Sequence, residues 1–231
     1  MKAFALMCGL LILSGQLIAG PFIRLGYGYS DFRSQDMSIK HDGYPEITLS
    51  NYDPGSADQV LFSAGYFVSP HFRVELALDM GLAGENTDRV TYSRGTSVTG
   101  EVTAEAYSRL FMVNGYFHFN GERGAGRFDP YMGGGIGLAV NRFESVSSRI
   151  PTTSATINDS DDTDWAFKLG GGLMYWVTDN LSADLSIAYT DAGSVTTEDR
   201  AFLKGVSVPF AEGMDLDLES FNYGLALLYQ F

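Results

Sequence analysis

The sequence predicts an all-β fold, an eight-stranded antiparallel up-and-down transmembrane β-barrel with four long loops. Three observations predict it. Eight stretches alternate between apolar residues and small or polar ones, and a period of two is typical of strands with two different faces. Each stretch has ten to fifteen residues, enough for a tilted strand to cross a bilayer. The connections alternate between short turns and long loops, which would place all the long loops at one end of the barrel.

The eight predicted strands are identified by their apolar parity, which means that apolar residues occupy alternate positions along each of them. They span residues 21–30, 59–68, 72–82, 105–119, 131–142, 165–177, 181–191 and 218–231. The first two set aromatic and aliphatic residues mainly against Gly, Ser and Gln. The third is the clearest, because apolar residues occupy every even position from Phe72 to Leu82. The fourth is less regular, the fifth and sixth carry glycines on the non-apolar face, and the last two alternate cleanly.

The composition of the two faces predicts which one meets lipid. The non-apolar face is mostly Gly, Ser, Ala and Asn with a few charges of both signs, which suits a crowded, narrow interior. The other face is continuous Leu, Val, Phe and Tyr, which suits hydrocarbon. A soluble lipocalin-like barrel is the alternative, and it would place the apolar face inside.

Aromatic residues on the apolar parity mark the two ends of the predicted barrel. One set contains Tyr29, Tyr107, Trp165, Tyr189 and Phe221, and the other contains Tyr66, Phe72, Phe119, Tyr175 and Tyr229. Two such rings are expected where a membrane barrel meets water. Strands are also rich in aromatics for other reasons, so the shared parity carries the argument.

Charged residues also fall on the predicted interior face. They are Arg24, Arg73, Glu75, Asp79, Arg142, Lys168 and Asp184. Isolated charges in a narrow interior are costly, so we expect them to pair with one another. A structural network is favoured over an ion gate, because eight strands leave an interior just wide enough for side chains.

The N-terminus has the parts of a secretory signal. Lys2 is followed by an apolar run and then by small residues up to Ala19, and this run is too short to span a membrane as a helix. We therefore expect a signal peptide over residues 1–19 and a barrel domain over 20–231, although a buried first helix is the alternative. The chain has a single cysteine, Cys8, and three histidines, so a disulfide scaffold and a Cys/His zinc site are excluded.

Net charge is concentrated in the four long connections, residues 31–58, 83–103, 144–164 and 191–217. These hold 20 acidic and 7 basic residues, a net of −13, whereas the rest of the chain has 8 of each. So acidic a chain is a poor nucleic-acid binder. The acidic loops bind a ligand or simply keep themselves solvated.

Other motifs predict no cofactor, metal or catalytic site. The glycine runs at 133–137 and 170–172 lack the Lys-Ser/Thr pair of a phosphate loop and suit close packing inside a barrel. The acidic run 159–164 fails the EF-hand pattern, although loose binding of a divalent cation stays open. The histidines His41, His71 and His118 have no Ser or Asp partner at a recognisable spacing.

Taken with the signal and the eight strands, the segments 130–138 and 221–231 resemble the outer-membrane β-barrel superfamily of opacity-protein and OmpA-barrel type. The closing Phe231, with Tyr229 two positions before it, is similar to the signal read by the barrel-assembly machinery. The resemblance implies an outer-membrane location, extracellular loops, periplasmic termini, and outer-membrane lipid and lipopolysaccharide as surroundings.

The favoured function is that of a non-enzymatic outer-membrane barrel whose acidic loops serve surface interaction, adhesion or envelope integrity through a host or envelope ligand. The first alternative is a narrow channel for ions or small solutes. The second is a lipid-modifying enzyme, which would depend on His41 or His118.

Overall fold

The computed structural model describes residues 20–39, 47–82, 85–94, 96–150, 153–157, 160–196, 200–203, 206–209 and 215–231. The expected signal peptide and His41 lie outside these residues. The described residues form fourteen strands. These are β1 (Pro21–Phe32), β2 (Gln35–Ile39), β3 (Ile47–Tyr52), β4 (Ser56–Ser69), β5 (Phe72–Gly81), β6 (Glu85–Arg94), β7 (Thr96–His118), β8 (Phe128–Ile150), β9 (Thr153–Ile157), β10 (Ser160–Trp176), β11 (Leu181–Thr196), β12 (Arg200–Leu203), β13 (Val206–Pro209) and β14 (Asp215–Gln230).

Eight of these strands form a closed antiparallel barrel. Around the wall the order is β1, β4, β5, β7, β8, β10, β11 and β14, so each strand pairs with the next in the chain. The ring closes where β1 pairs with β14, from Phe22 opposite Gln230 to Phe32 opposite Ser220. The predicted eight-stranded up-and-down barrel is confirmed.

The barrel has its apolar face on the outside. Leu76 and Leu225 are 67% and 62% exposed, whereas Glu75 and Asp184 are 3% and 0% exposed. Because a strand turns successive side chains to opposite faces, this inversion follows from the alternating sequence. The predicted lipid-facing parity is confirmed, and the soluble lipocalin-like alternative is wrong.

The two ends of the barrel differ as the alternating connections predicted. One end, the turn end, carries the short connections 70–71, 119–127 and 177–180 together with Gly20 and Phe231. The 177–180 turn is closed by the Val177 amide, which donates to the Leu181 carbonyl at 2.8 Å. The opposite end, the loop end, carries all four long connections. None of the described residues belongs to a helix long and apolar enough to cross a bilayer.

Several strands run further toward the loop end than the sequence predicted. β7 and β8 have 23 residues each, and β6 pairs with the first part of β7 as a hairpin, from Glu85 opposite Glu105 to Arg94 opposite Thr96. Within the predicted long connection 83–103, residues 85–94 and 96–103 are therefore strand. This segment is rich in Thr and Val, which favour strands. It has no apolar face, so a search for alternating apolar residues does not detect it.

Candidate functional site

A layer of buried apolar side chains closes the turn end of the barrel interior. This turn-end plug consists of Phe22, Phe67, Tyr131, Met174, Trp176 and Leu228, drawn from five strands. The rings of Phe22 and Phe67 lie 5.2 Å apart, and those of Phe67 and Trp176 lie 6.3 Å apart. Small and polar residues are predicted on this face, so most of the plug is not predicted from the sequence, although the interior parity leads to these residues when it is followed to the strand ends.

Arg73 is fully buried and packs against the plug, with its guanidinium near the rings of Phe22 and Phe67. Its guanidinium carbon is 4.5 Å from the ring centre of Tyr116 and 4.8 Å from that of Tyr131. Its Nε atom lies 3.9 Å from a carboxylate oxygen of Glu75. Aromatic faces attract a guanidinium, so the cage holds a charge that a purely aliphatic interior would exclude.

Two further ion pairs join strands across the interior. Arg24 Nε donates to Asp184 Oδ2 at 2.7 Å, and the Tyr131 hydroxyl donates to Asp184 Oδ1 at 2.8 Å. Lys168 pairs with Asp79. Both carboxylate oxygens of Asp184 thus have donors, as a buried carboxylate requires.

Glu75 is held from the walls as well as by Arg73. It accepts hydrogen bonds from Ser63 Oγ at 3.2 Å and from Asn114 Nδ2 at 3.3 Å. The six predicted residues Arg24, Arg73, Glu75, Asp79, Lys168 and Asp184 therefore all lie inside. In this charge network they form three ion pairs, with three positive and three negative formal charges, so the charges of the interior balance.

Arg142 does not belong to this network, and its prediction as an interior residue is wrong. Its neighbour Asn141 points inward and is fully buried, so Arg142 points outward by strand alternation. Arg142 Nε lies 2.8 Å from Asp161 Oδ1 on the neighbouring strand β10, and the Arg142 side chain is 38% exposed.

Above the charges, a layer of amides and hydroxyls fills the interior. Asn222 Nδ2 donates to Thr190 Oγ1 at 2.8 Å, and Gln59 Nε2 donates to Asn222 Oδ1 at 3.1 Å. Further apolar residues are buried where these strands approach the loop end. This loop-end cap consists of Phe32, Ala57, Ala192, Val195, Leu216 and Leu218.

One small cavity lies between the charged and amide layers. Its volume is about 50 Å³, and its walls include Arg24, Glu75, Asp79, Tyr131 and Lys168. That is room for a few water molecules. Among the described residues, buried side chains therefore occupy most of the interior between the turn-end plug and the loop-end cap.

His118 has a partner that the sequence analysis missed. Its Nδ1 atom donates to Asp129 Oδ2 at 2.8 Å, and both side chains are fully buried beside the plug. Asp129 is recognisable only once β7 and β8 are aligned, since His118 pairs with Tyr131 across the turn. A histidine and carboxylate pair resembles part of a catalytic triad, but its burial keeps a substrate away.

The turn end is covered by Arg123, in the connection between β7 and β8. Its guanidinium carbon lies 3.6 Å from the ring centre of Phe67, and Nη2 donates to the Ser69 carbonyl at 2.8 Å. Burial lowers the pKa of the Arg123 guanidinium to about 10, because the charged form loses water. His71 lies in the adjacent turn and donates from Nδ1 to the His118 carbonyl at 2.8 Å.

The acidic run that was predicted as a loop is the beginning of β10 from Ser160 onward. Asp162 accepts a hydrogen bond from the Thr196 amide at 2.8 Å, and Asp164 accepts from the Ser194 amide at 3.3 Å. These carboxylates therefore accept hydrogen bonds from backbone amides of β11. The amides lie at or near an irregularity in the pairing of β11 with β14, between Asp191 and Ser194. The described part of the chain contains no group of three or more His, Cys, Asp or Glu side chains placed to hold a metal ion.

An apolar exterior, a closed ring of eight tilted strands and a filled, neutral interior define a membrane-spanning β-barrel of the outer-membrane class. Residues 3–231 match the family model described as "Outer membrane protein beta-barrel domain". The chain belongs to this family, and its place is the outer membrane.

Relatives extend the similarity over most of the chain. It is 28% identical over 186 residues to the outer membrane protein PagN of Salmonella typhimurium, covering 77% of this chain and 73% of PagN. It is 24% identical over 152 residues to a Rickettsia rickettsii protein named as a candidate adhesin, covering 65% of each chain. Among solved structures, OprG of Pseudomonas aeruginosa aligns with a TM-score of 0.56 at 18% identity, covering 92% of this chain and 96% of OprG, which shows the shared fold alone.

Proposed function

We propose that this protein is a non-enzymatic surface-interaction protein of the outer membrane, which presents long acidic β-hairpins to a partner outside the cell. One observation carries the proposal. The interior is filled and neutral, whereas the net charge of −13 resides in connections at a single end. A relative named as an adhesin supports it. Because the hairpins are acidic, a partner with a basic surface would be complementary.

The proposed orientation follows the long connections. The loop end faces outward, and the turn end with both termini of the mature chain faces the periplasm. Residues 1–19 are the cleaved export signal, and Tyr229 and Phe231 serve as the signal to the barrel-assembly machinery. Protease treatment of intact cells should then cut the long connections and leave the turn at 119–127 intact. Cutting at the turns alone contradicts the orientation.

An enzymatic or channel function has less support. The His118–Asp129 pair is buried, so we do not expect the protein to cleave lipid A or phospholipid. The unchanged protein and the His118→Ala variant should therefore show the same result in an assay of lipid cleavage. The filled interior likewise leaves no continuous path for solutes through the described residues.

The test is adhesion of cells that express the protein against cells with an empty vector, on immobilised host-matrix proteins. A variant that carries Glu198→Gln, Asp199→Asn and Glu212→Gln in the last long connection removes three acidic charges. We expect it to lose at least about five-fold in binding, since each charge near a basic partner contributes on the order of a few tenths to 1 kcal/mol.

The matched control removes acidic charge at the opposite end, by Glu122→Gln and Asp179→Asn. It should bind as the unchanged protein does. Heat-modifiable gel migration shows that each variant forms the barrel. Equal binding by expressing and empty-vector cells would contradict the adhesion proposal.

A further inference from the structure

At the loop end the strands continue as a second, open sheet. Its order is β2, β3, β6, β7, β8, β9, β12 and β13, and each neighbouring pair is antiparallel. β7 and β8 belong both to the barrel and to this loop-end sheet. Among the described residues, β2 pairs with β3 alone and β13 pairs with β12 alone. The loop-end sheet therefore has two free edges, whereas the closed barrel has none.

Both free edges lie near the seam where β14 pairs with β1. β2 begins at Gln35, three residues after the end of β1. The Arg33 amide between them still donates to the Glu219 carbonyl of β14 at 3.0 Å. β13 ends at Pro209, six residues before Asp215 begins β14, and six residues span at most about 20 Å. The two edges therefore flank one region beside the β14–β1 seam.

The two edges differ in how well they are protected from added strands. β2 contains Asp36, and its pairing with β3 is irregular between Gln35 and Met37. Natural proteins place charges and bulges of this kind on an edge to prevent further pairing. β13, Val206–Pro209, contains no charged residue and pairs with β12 without an irregularity. The less protected edge is therefore β13.

Ser207 is the residue of β13 whose main chain faces the free edge. Leu203 and Val206 are paired and are joined by only two residues, so they exchange both of their hydrogen bonds. Hydrogen-bonded and non-hydrogen-bonded pairs alternate along two antiparallel strands, so the next bonded pair is Ala201 with Val208. The N–H and C=O groups of Ser207 therefore point away from β12. A strand laid against β13 would bond to them.

The rim of the barrel beside the seam is acidic. Its outward positions on β1, β14 and the strands beside them include Asp31, Asp58, Asp191 and Glu219. Arg33 lies among them and is paired with Glu219 at 2.6 Å. An edge as short as β13 offers few main-chain hydrogen bonds, so a partner that binds there needs further attraction. Opposite charge across the interface supplies it, and basic side chains are therefore favoured in the partner.

We propose that β13 accepts an extended segment of a partner protein as an added antiparallel strand, and that the acidic rim beside the seam attracts basic side chains of that segment. Strand addition gives affinity through main-chain hydrogen bonds, and charge gives it direction. The inference rests on the proposed surface interaction and specifies its mode, since the acidic connections attract the partner and the edge of the loop-end sheet binds it.

The experiment measures binding of a short fluorescent peptide of alternating lysine and valine to the refolded barrel in phosphatidylcholine vesicles, by fluorescence anisotropy. Ser207→Pro removes the N–H group that faces the free edge, and an edge strand tolerates proline at such a position. One hydrogen bond contributes about 1 kcal/mol, which is about five-fold in affinity. We expect Ser207→Pro to weaken binding by at least about five-fold, whereas Ser207→Ala, which keeps the main chain, should bind as the unchanged barrel does.

Modified peptides test the mode of binding without changing the protein. Methylation of alternate main-chain nitrogens blocks strand pairing and leaves the charge of the peptide unchanged, so the methylated peptide should bind at least about five-fold more weakly. A peptide of alternating glutamate and valine should also bind more weakly, because the rim repels it. Three results overturn the proposal: no binding of the lysine and valine peptide to the unchanged barrel, equal binding of its methylated form, or undiminished binding by Ser207→Pro.

A pair of cysteines shows whether something else occupies the edge. Residues 20–231 contain no cysteine, so Ser38→Cys on β2 with Ser207→Cys on β13 reports only on the approach of these two strands. We expect both thiols to stay free in the refolded barrel. A disulfide within one molecule would show that the two edges pair with each other, and one between two molecules would show that a second copy occupies the edge. Either result overturns the proposal.

Adhesion separates this proposal from the proposed function on which it rests. Cells that carry Ser207→Pro should adhere to immobilised host-matrix proteins at least about five-fold less than cells with the unchanged protein. Full adhesion by this variant overturns strand addition and leaves the proposed function standing. Equal adhesion by empty-vector cells contradicts the proposed function itself.

Discussion

At the scale of single residues, alternation decides which side chains lie inside but not which of them meet. Parity alone places Arg24, Glu75 and Asp184 in the interior, because neighbouring side chains point to opposite faces. Their pairing depends on the stagger of the strands, since Arg24 and Asp184 are 160 residues apart in the chain. The pairing of His118 with Asp129 is not predicted from the sequence for the same reason, because the two residues lie on different strands that are joined by a turn of nine residues.

Arg142 shows that parity has to be applied strictly along the whole strand. The prediction puts both Arg142 and the adjacent Asn141 on the interior face. Two successive residues of a regular strand cannot both point inward. Asn141 takes the interior position, where its Nδ2 donates to the Ala192 carbonyl at 2.7 Å. Arg142 instead points outward and pairs with Asp161 on the outer surface.

Replacing Asp184 should test the energetic weight of the interior network. Asp184→Ala leaves the Arg24 guanidinium buried without its carboxylate and the Tyr131 hydroxyl without its acceptor. Removing one member of a buried pair costs about 3–5 kcal/mol. We expect that loss in the free energy of unfolding, measured by urea titration of the refolded barrel in vesicles.

The matched control for that prediction is Glu219→Gln, which breaks the exposed pair with Arg33. It should leave the urea midpoint nearly unchanged, because water and salt screen such a pair. The double change Arg24→Met with Asp184→Leu should recover much of the loss, since neither charge then remains alone. A loss for Asp184→Ala no larger than that for Glu219→Gln would show that the network contributes little.

At the scale of elements, the sequence predicts strand number and turn position well and strand length poorly. Apolar parity marks only the portion of a strand that contacts lipid, so β7 was predicted from residue 105 although it begins at Thr96. Beyond the hydrocarbon both faces of a hairpin meet water, and β-propensity replaces parity as the signal. The prediction that the glycine runs serve close packing is confirmed in β8 and β10, because these glycines lie against the backbone of neighbouring strands.

Gly135 in β8 makes the close approach of strands testable. A Cβ atom there would lie 2.4 Å from the Val113 carbonyl oxygen and 2.0 Å from Asn114 Oδ1. Because the carbonyl belongs to the backbone of a paired strand, β7 and β8 would have to separate. We expect Gly135→Ala to lower the free energy of unfolding by about 1–3 kcal/mol, the usual cost of overpacking.

Gly115, on the facing strand β7, provides the control. A Cβ atom at this position meets no other atom within 4 Å, so Gly115→Ala should be neutral or slightly stabilising through the unfolded chain. The two variants add the same methyl group to adjacent paired strands. Equal unfolding midpoints for both would mean that the glycines of β8 are not required by packing.

At the scale of the whole molecule, the need to pair every backbone amide explains both the closed wall of the barrel and the side chains that fill its interior. With no water in the hydrocarbon, every backbone amide must be paired, and a ring of strands leaves no free edge. Eight strands make that ring narrow, so side chains fill it. Function then moves to the ends, where β6 and the extensions of β7 and β8 continue the sheet beyond the lipid.

This division predicts that the unmodified barrel carries no steady ionic current. An ion would have to pass the turn-end plug, where Phe67 and Trp176 are fully buried, and then the loop-end cap, where Leu216 and Leu218 are fully buried. An ion must lose its water to cross either layer, and this costs far more free energy than thermal motion supplies. We expect no stable conductance steps in a planar bilayer where gel migration confirms insertion, while an open porin in the same bilayer conducts. Reproducible steps from the unmodified protein that disappear on changing Lys168 or Asp79 would instead show that the charge network rearranges to open a path, and would restore the channel as its function.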